Sequence, residues 1–138
     1  MSNRIFLDTN PLIYLIENTM PFAEKVDGFI FSKWLQDSEF YTSTITDTEF
    51  LVMPYKLEDF ETIAEYWDFL HKFDVLKCFI NEVIAVTAAK IRAKYEGIKT
   101  ADSLQLAAAI ESECDVFLTN DKQLRQVEEI RVLLIDDL

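Results

Sequence analysis

Apolar residues recur along the chain in two patterns, short continuous runs and longer segments with helical spacing. The short runs predict strands at residues 5–7, 40–43, 75–77, 116–118 and 132–135. Helical spacing or helix-favouring composition predicts helices at residues 11–17, 21–37, 44–56, 58–72, 80–95 and 101–113, with a short helix after Asp121. Pro54 is expected to break the third of these helices, because proline lacks an N–H group.

Strands and helices therefore alternate along the chain, and this order decides the fold class. Most of the strand segments are apolar on both faces, which is typical of a parallel sheet covered by helices on both sides. The length of 138 residues suits one domain, and the scarcity of glycine (2) and proline (3) argues against a linker. We therefore predict an α/β fold in which residues 1–138 form a single domain.

The composition is acidic, with 13 basic and 25 acidic residues and a net charge of −12. A protein that binds nucleic acid through phosphate contacts usually has a basic face, which this composition does not supply overall. The acids either keep the chain soluble or gather at one place to bind a cation. The two cysteines form neither a disulfide framework nor a zinc motif, which predicts free thiols and the reducing cytoplasm. We expect no signal peptide and no membrane segment.

Four acidic residues lie where a ligand site of such a sheet is expected, beyond the carboxyl ends of the strands. Asp8 and Asp121 follow predicted strands, Glu49 lies in the helix after residues 40–43, and Asp102 opens the helix before residues 116–118. Each also has an ordinary structural explanation, as a helix cap, a turn residue or a surface acid. However, Glu49 and Asp102 lie in segments that should pack inward, where an unpaired carboxylate is costly unless it is protonated or binds a cation.

Four segments of the sequence resemble the signature segments of the PIN-domain nucleases, in the order and approximate spacing of that family. They are Ile-Phe-Leu-Asp-Thr-Asn at 5–10, Ser-Thr-Ile-Thr-Asp-Thr-Glu at 43–49, Thr-Ala-Asp-Ser-Leu-Gln-Leu-Ala-Ala-Ala at 100–109 and Val-Phe-Leu-Thr-Asn-Asp at 116–121. The chain is most similar to the small VapC-type toxins of bacterial toxin–antitoxin pairs. The segment around Glu49 carries an additional acid, Asp47, which points to another helix face and is a poor substitute.

The resemblance implies a three-layer α/β/α fold with a parallel sheet of about five short strands, and metal-dependent cleavage of RNA. Carried over by position, the family's acidic quartet corresponds to Asp8, Glu49, Asp102 and Asp121, and its adjacent hydroxyl to Thr119. An all-oxygen site favours Mg²⁺ or Mn²⁺. We expect Asp8, Asp102 and Asp121 to bind the ion and Glu49 to bind it or orient the attacking water. Thr119, Asn120 and Ser103 are candidates for holding the carboxylates in place.

The resemblance also implies partners. The densest basic cluster, formed by Lys90, Arg92, Lys94 and Lys99, either receives the RNA backbone or is simply a solvated helix face. The acidic remainder favours recognition of a folded RNA such as a tRNA by its shape. The resemblance further implies an antitoxin and a homodimer. The aromatic-rich segments at 22–34 and 60–67 supply either an interface for these partners or part of the core.

Three other protein classes place acids at similar positions. A receiver domain needs a pair of acids after the first strand and a lysine after a late strand, but only Asp8 follows the first strand and Lys122 is misplaced. A haloacid-dehalogenase phosphatase needs a second aspartate two residues after the first, where this chain has Asn10. The strongest alternative is a catalytically inactive PIN-like protein-binding module, against which the presence of all four acids argues.

Overall fold

The computed structural model describes residues 3–138, in which strands and helices alternate as predicted. The strands are β1 (Arg4–Leu7), β2 (Glu39–Ser43), β3 (Leu76–Cys78), β4 (Val116–Thr119) and β5 (Arg131–Leu134). The α-helices are α1 (Thr9–Ile16), α2 (Phe22–Leu35), α3 (Thr44–Lys56), α4 (Phe60–Lys72), α5 (Glu82–Lys94) and α6 (Thr100–Glu111). Two short 3₁₀ turns cover Lys122–Gln126 and Ile135–Asp137, the first at the short helix predicted after Asp121.

The five strands form one parallel sheet in the order β3-β2-β1-β4-β5. The chain first builds outward from β1 through β2 to β3, and then crosses over to add β4 and β5 on the other side of β1. The register places Leu7 beside Leu118, so β1 and β4 end next to each other. In an open parallel sheet, the crevice at such a reversal of strand order is where ligands bind.

Alternate residues of the strands face two separate hydrophobic cores. On one face, Phe6 and Phe117 stack with ring centroids 5.3 Å apart and pack with residues of α5 and α6. On the other face, Ile5, Leu7 and Leu118 pack with residues of α1, α2, α3 and α4. The consecutive residues Ile5, Phe6 and Leu7 of β1 are buried on both faces of the sheet and are all apolar. This arrangement confirms the predicted three-layer α/β/α fold with five parallel strands.

Pro54 does not break α3, contrary to our expectation from the sequence. The helix continues to Lys56, and its end is capped by the N–H of Leu57, which donates to the Met53 carbonyl at 3.0 Å, and by the N–H of Glu58, which donates to the Tyr55 carbonyl at 3.2 Å. A proline this close to the carboxyl end removes only one helical hydrogen bond. Its own carbonyl accepts from the N–H of Asp59 at 2.8 Å, so the polar group that remains is paired.

None of the helices within residues 3–138 combines the length and apolar character that crossing a lipid bilayer requires.

Candidate active site

Asp8 lies at the carboxyl end of β1 and is the most buried of the four predicted acids, with only 5% of its surface exposed. Its Oδ1 atom accepts from the N–H of Thr9 at 2.8 Å, so it caps α1. Its Oδ2 atom accepts from the hydroxyl of Thr119 at 2.7 Å. Two donors from different strand ends therefore fix both oxygen atoms of this carboxyl group.

The environment of Asp8 opposes its ionisation. Its pKa is raised from the ordinary value of 3.8 to about 6, mainly by burial and to a smaller extent by the charges of Asp102 and Glu49. The hydrogen bonds from Thr119 and Thr9 act in the opposite direction, because they stabilise the charged form. A buried carboxylate with like charges around it is a group that a cation would stabilise.

Glu49 lies in α3 and reaches the same region from the neighbouring strand end. Its Oε1 atom accepts from the hydroxyl of Thr9 at 2.7 Å. Thr9 follows Asp8 directly, so one dipeptide contacts two of the four predicted acids through its N–H and its hydroxyl. The carboxyl group of Glu49 is exposed enough to meet a ligand while this hydrogen bond holds one of its oxygen atoms.

Asp102 is half-buried in the first turn of α6, where the helix dipole favours an acid. Burial raises its pKa, and the charges of Asp121 and Glu49 raise it further. The ammonium group of Lys99 acts against this shift. Asp102 is therefore close enough to two other predicted acids to interact with them electrostatically.

Asp121 follows β4, two residues after Thr119. Its N–H donates to the hydroxyl of Thr119 at 3.2 Å, and its Oδ1 atom accepts from the N–H of Gln123 at 3.0 Å. The capping role that we considered for Asp121 is thus observed, since this bond starts the 3₁₀ turn. The charge of Asp121 also raises the pKa of Asp102, so Asp121 both caps the turn and acts on a second predicted acid.

The four acids share one region but do not form a ready-made ligand cage. Within residues 3–138, no group of three or more His, Cys, Asp and Glu side chains is arranged so that it could hold a metal ion. Electrostatic influence extends over distances much longer than the roughly 2.0–2.6 Å of bonds to Mg²⁺ or Ca²⁺. The donor set consists of carboxylate and hydroxyl oxygens, which suits a hard divalent cation.

The three residues predicted to support the carboxylates have different contacts. Thr119 contacts Asp8 directly. The N–H of Asn120 donates to the side chain of Asn10 at 3.0 Å, while the Oδ1 atom of Asn120 is buried without a partner. The hydroxyl of Ser103 donates to the carbonyl of Thr100 in its own helix at 2.7 Å.

The four predicted RNA-binding residues are exposed, but two of them already have protein partners. Arg92 donates to the carbonyl of Ile98 and the hydroxyl of Thr100, and it thereby anchors the segment before α6. The Nζ atom of Lys94 forms an ion pair with Oε1 of Glu129 at 3.6 Å. Lys99 immediately precedes α6, and its charge reaches Asp102.

Asp47 is occupied by structural contacts, as its direction from the helix suggested. Its Oδ1 atom accepts from the hydroxyl of Tyr66 at 2.7 Å and pairs with the ammonium group of Lys77 at 2.5 Å. Burial raises the pKa of Tyr66, and the hydrogen bond to Asp47 raises it further. Asp47 therefore ties α3 to α4 and β3.

Sequence reasoning identified only Asp8 and Thr119 in a larger group of buried polar residues at this site. Of the nine buried polar or charged residues within residues 3–138, seven are joined by hydrogen bonds at this edge of the sheet. They are Asp8, Thr9, Thr42, Ser43, Thr46, Gln105 and Thr119. One signal was available in the sequence, since Gln105 is a polar residue inside the otherwise apolar stretch 104–109.

A model of the PIN domain matches residues 5–130 of the sequence. The chain belongs to the PIN domain family. The matched range includes all four predicted acids, and the family is the one that the sequence segments resemble. PIN domains are generally nucleases. No curated protein matches the sequence closely.

Solved structures extend this comparison to the whole fold. The chain is similar to one in VapBC2 from Rickettsia felis bound to a promoter DNA fragment, with a TM-score of 0.77, 15% identity, and coverage of 95% of this chain and 98% of that one. It is also similar to a chain of DNA-bound VapBC from Salmonella typhimurium, with a TM-score of 0.74, 21% identity, and coverage of 98% and 99%. It is similar as well to a chain of FitAB bound to an IR36 DNA fragment, with a TM-score of 0.72, 24% identity, and coverage of 97% of this chain and 96% of that one. At these identities the likeness establishes the PIN fold.

Proposed function

We propose that this PIN domain is a Mg²⁺- or Mn²⁺-dependent endoribonuclease and the toxin of a toxin–antitoxin pair. The observation that carries the proposal is the buried carboxyl group of Asp8 at the strand-order reversal, with Glu49 and Asp102 close enough to raise its pKa. A structural cap needs no such arrangement, because a single acid at the start of a helix suffices. Three acids from different segments, two of which raise the pKa of the third through their charges, are instead what a divalent cation would stabilise.

The proposed roles follow from the surroundings of each residue. Asp8 and Asp102 would bind the ion directly, because burial destabilises their ionised forms and a bound cation would offset that cost. Asp121 would bind it directly or through water, and Glu49, the more exposed acid, would orient the attacking water. The bound ion would supply Lewis acidity for activating water and for neutralising charge on the phosphodiester. Thr119 would fix the direction of Asp8, with Asn120 and Ser103 supporting the neighbouring backbone.

RNA would approach along the basic residues before α6. Lys99 is the most direct candidate for a phosphate contact, because its charge already reaches Asp102. Lys90 and Lys94 would extend the contact along α5, whereas Arg92 would act mainly by anchoring the segment between α5 and α6. With a net charge of −12, non-specific binding should be weak, which favours a structured substrate such as a tRNA.

A protein partner would bind in the groove between α1, α2 and α4. Its floor is apolar, with Leu15, Ile16 and Phe69. Its rim carries three acids and one lysine, so it is negative overall: Asp27, Glu65, Asp68 and Lys72. Such a groove suits an amphipathic segment with basic residues, as expected of an antitoxin. The VapBC structures named above are themselves complexes of two proteins.

A homodimer would use a different surface, the exposed apolar residues Phe79, Val83 and Val86 at the start of α5.

The free cysteines Cys78 and Cys114 suit the reducing cytoplasm.

The test is cleavage of total RNA by the purified protein, with Mn²⁺ or Mg²⁺ and with EDTA. Asp8→Asn and Asp102→Asn should abolish cleavage while circular dichroism and thermal unfolding remain those of a folded protein. Asp74→Asn is the matched control, since Asp74 is exposed, and its positive φ of 50° is tolerated by asparagine. If the wild-type protein does not cleave RNA with either ion, the alternative of an inactive PIN-like binding module, which the lack of a ready ligand cage favours, replaces the proposal.

A further inference from the structure

Gln105 is a buried amide in the centre of the protein. It lies in α6 one turn after Asp102, is 1% exposed, and is surrounded in sequence by Leu104, Leu106 and three alanines. Burying an amide without hydrogen-bond partners costs about 1–3 kcal/mol in proteins. The hydrogen bonds of the Gln105 side chain must therefore offset this cost.

Both ends of the Gln105 side chain are paired. Its Nε2 atom lies 2.7 Å from the hydroxyl of Thr46, 3.3 Å from Oδ1 of Asp8 and 3.4 Å from the hydroxyl of Thr9. Its Oε1 atom accepts from the hydroxyl of Ser43. The two amide hydrogens thus face three oxygen acceptors, and the strongest contact by distance is the one to Thr46.

The orientation of the amide is determined by its neighbours. The N–H of Ile45 donates to the hydroxyl of Ser43, so that hydroxyl is free to give its own hydrogen to Oε1 of Gln105. In the reversed orientation, the amide oxygen would face the carboxyl oxygen of Asp8, which is repulsive when Asp8 is ionised. Gln105 therefore presents its N–H groups towards the acids.

These contacts connect two of the predicted acids through one side chain. Gln105 reaches Asp8 directly, reaches Glu49 through the hydroxyl of Thr9, and shares α6 with Asp102. Thr9 uses its hydroxyl hydrogen on Glu49, so it accepts from Gln105. The hydrogen bonds thus run from α6 to the ends of β1 and β2.

We propose that Gln105 is a positioning residue of the proposed nuclease site, which fixes the orientation of Asp8 and of the Thr9–Glu49 pair so that their carboxyl groups are available to an incoming ion. This inference rests on the proposed function and adds a residue to it. Gln105 acts through the acids and does not itself contact the RNA or the ion. Loss of a group that orients metal ligands typically weakens metal binding or activity about 10- to 100-fold.

The test substitutes Gln105→Met, which keeps the length of the side chain and removes its hydrogen bonds. Two measurements are made well below the melting temperature, Mn²⁺ binding by electron paramagnetic resonance and steady-state RNA cleavage. We expect the Kd for Mn²⁺ to rise about tenfold and kcat to fall by a similar factor, while KM for RNA changes less than twofold. Gln36→Met, the same change at an exposed glutamine at the end of α2, should leave all three values unchanged.

A merely structural role gives a different result. In that case Gln105→Met lowers the melting temperature, but the folded protein retains the wild-type Kd and kcat, which overturns the inference while the proposed function stands. If Gln105→Met does not fold, Gln105→Asn, which keeps the amide but shortens its reach, is judged by the same criteria. A wild-type protein that neither binds Mn²⁺ nor cleaves RNA refutes the proposed function, and the positioning role with it.

Discussion

The hydroxyl of Thr119 donates to Oδ2 of Asp8 at 2.7 Å, although 111 residues separate the two in the chain. The contact exists because β1 and β4 are adjacent and parallel, with Leu7 beside Leu118, so that the residues after this pair meet at the sheet edge. The bond lowers the pKa of Asp8 and partly offsets the effect of burial. The ionised state of a residue near the start of the chain therefore depends on a residue near its end.

Thr119→Val removes this donor while keeping the shape of the side chain. We expect the pKa of Asp8 to rise above about 6, because burial is then less well compensated. Mn²⁺ binding at pH 7 should weaken about tenfold, as is typical when a group that orients a metal ligand is lost. A titration followed by electron paramagnetic resonance measures it. Thr87→Val is the control, since that hydroxyl donates to Glu111 at the far end of α6, and equal affinities for the two variants would contradict the prediction.

The stability of the metal-free protein should depend on pH through Asp8. Its pKa is about 6 when folded against an ordinary value of 3.8, so between these values the folded protein binds more protons than the unfolded chain. The neutral carboxyl group of Asp8 contributes fully to the free energy of unfolding below pH 3.8, and this contribution is lost as the pH rises through about 6. At about 1.4 kcal/mol per pKa unit, the ionised group costs roughly 3 kcal/mol above that range.

Asp8→Asn isolates this contribution, because asparagine keeps the helix cap but does not titrate. The variant's free energy of unfolding minus that of the wild type should increase by roughly 2–2.5 kcal/mol between pH 4 and pH 7. Urea unfolding in EDTA at several pH values measures the difference. A difference that stays constant over this range would show that Asp8 is not the group responsible.

Divalent cations should stabilise the folded protein. A ligand that binds only the folded state at 100 times its Kd adds about 2.7 kcal/mol to the free energy of unfolding. We expect Mn²⁺ to raise the melting temperature by several degrees and EDTA to reverse the increase. The shift should disappear in Asp102→Asn and persist in Asp74→Asn, as scanning calorimetry can test. An equal shift in both variants would mean that the ion binds elsewhere.

Asp47 and Glu49 should respond in opposite ways, although they lie two residues apart. Asp47→Asn weakens the contacts to Tyr66 and Lys77, and should lower the free energy of unfolding by about 1–3 kcal/mol without changing kcat of the folded protein. Glu49→Gln should reduce kcat while the stability stays close to that of the wild type. Chemical unfolding and steady-state RNA cleavage of the two variants separate these effects, and loss of activity in Asp47→Asn alone would reverse our assignment.

The order of the secondary-structure elements could be predicted from the sequence, because it depends on local patterns. Continuous apolar runs are typical of strands buried on both faces, and Phe6 and Ile5 indeed face opposite cores. The positions of Asp8 and Asp121 just after strands followed from the same patterns. Pro54 was the exception, since the pattern could not show that a single missing N–H near the end of α3 would be tolerated.

The hydrogen bonds around the acids could not be predicted, because they join residues that only the tertiary structure brings together. Gln105 is 97 residues from Asp8 and 59 from Thr46, and it contacts both because β1 lies beside β2 and α6 packs against that part of the sheet. The sequence by itself determined which residues were acidic and which segments were strands or helices. Only the tertiary structure brought the distant donors Thr119 and Gln105 to Asp8, since a hydrogen bond requires its two groups to meet within about 3 Å.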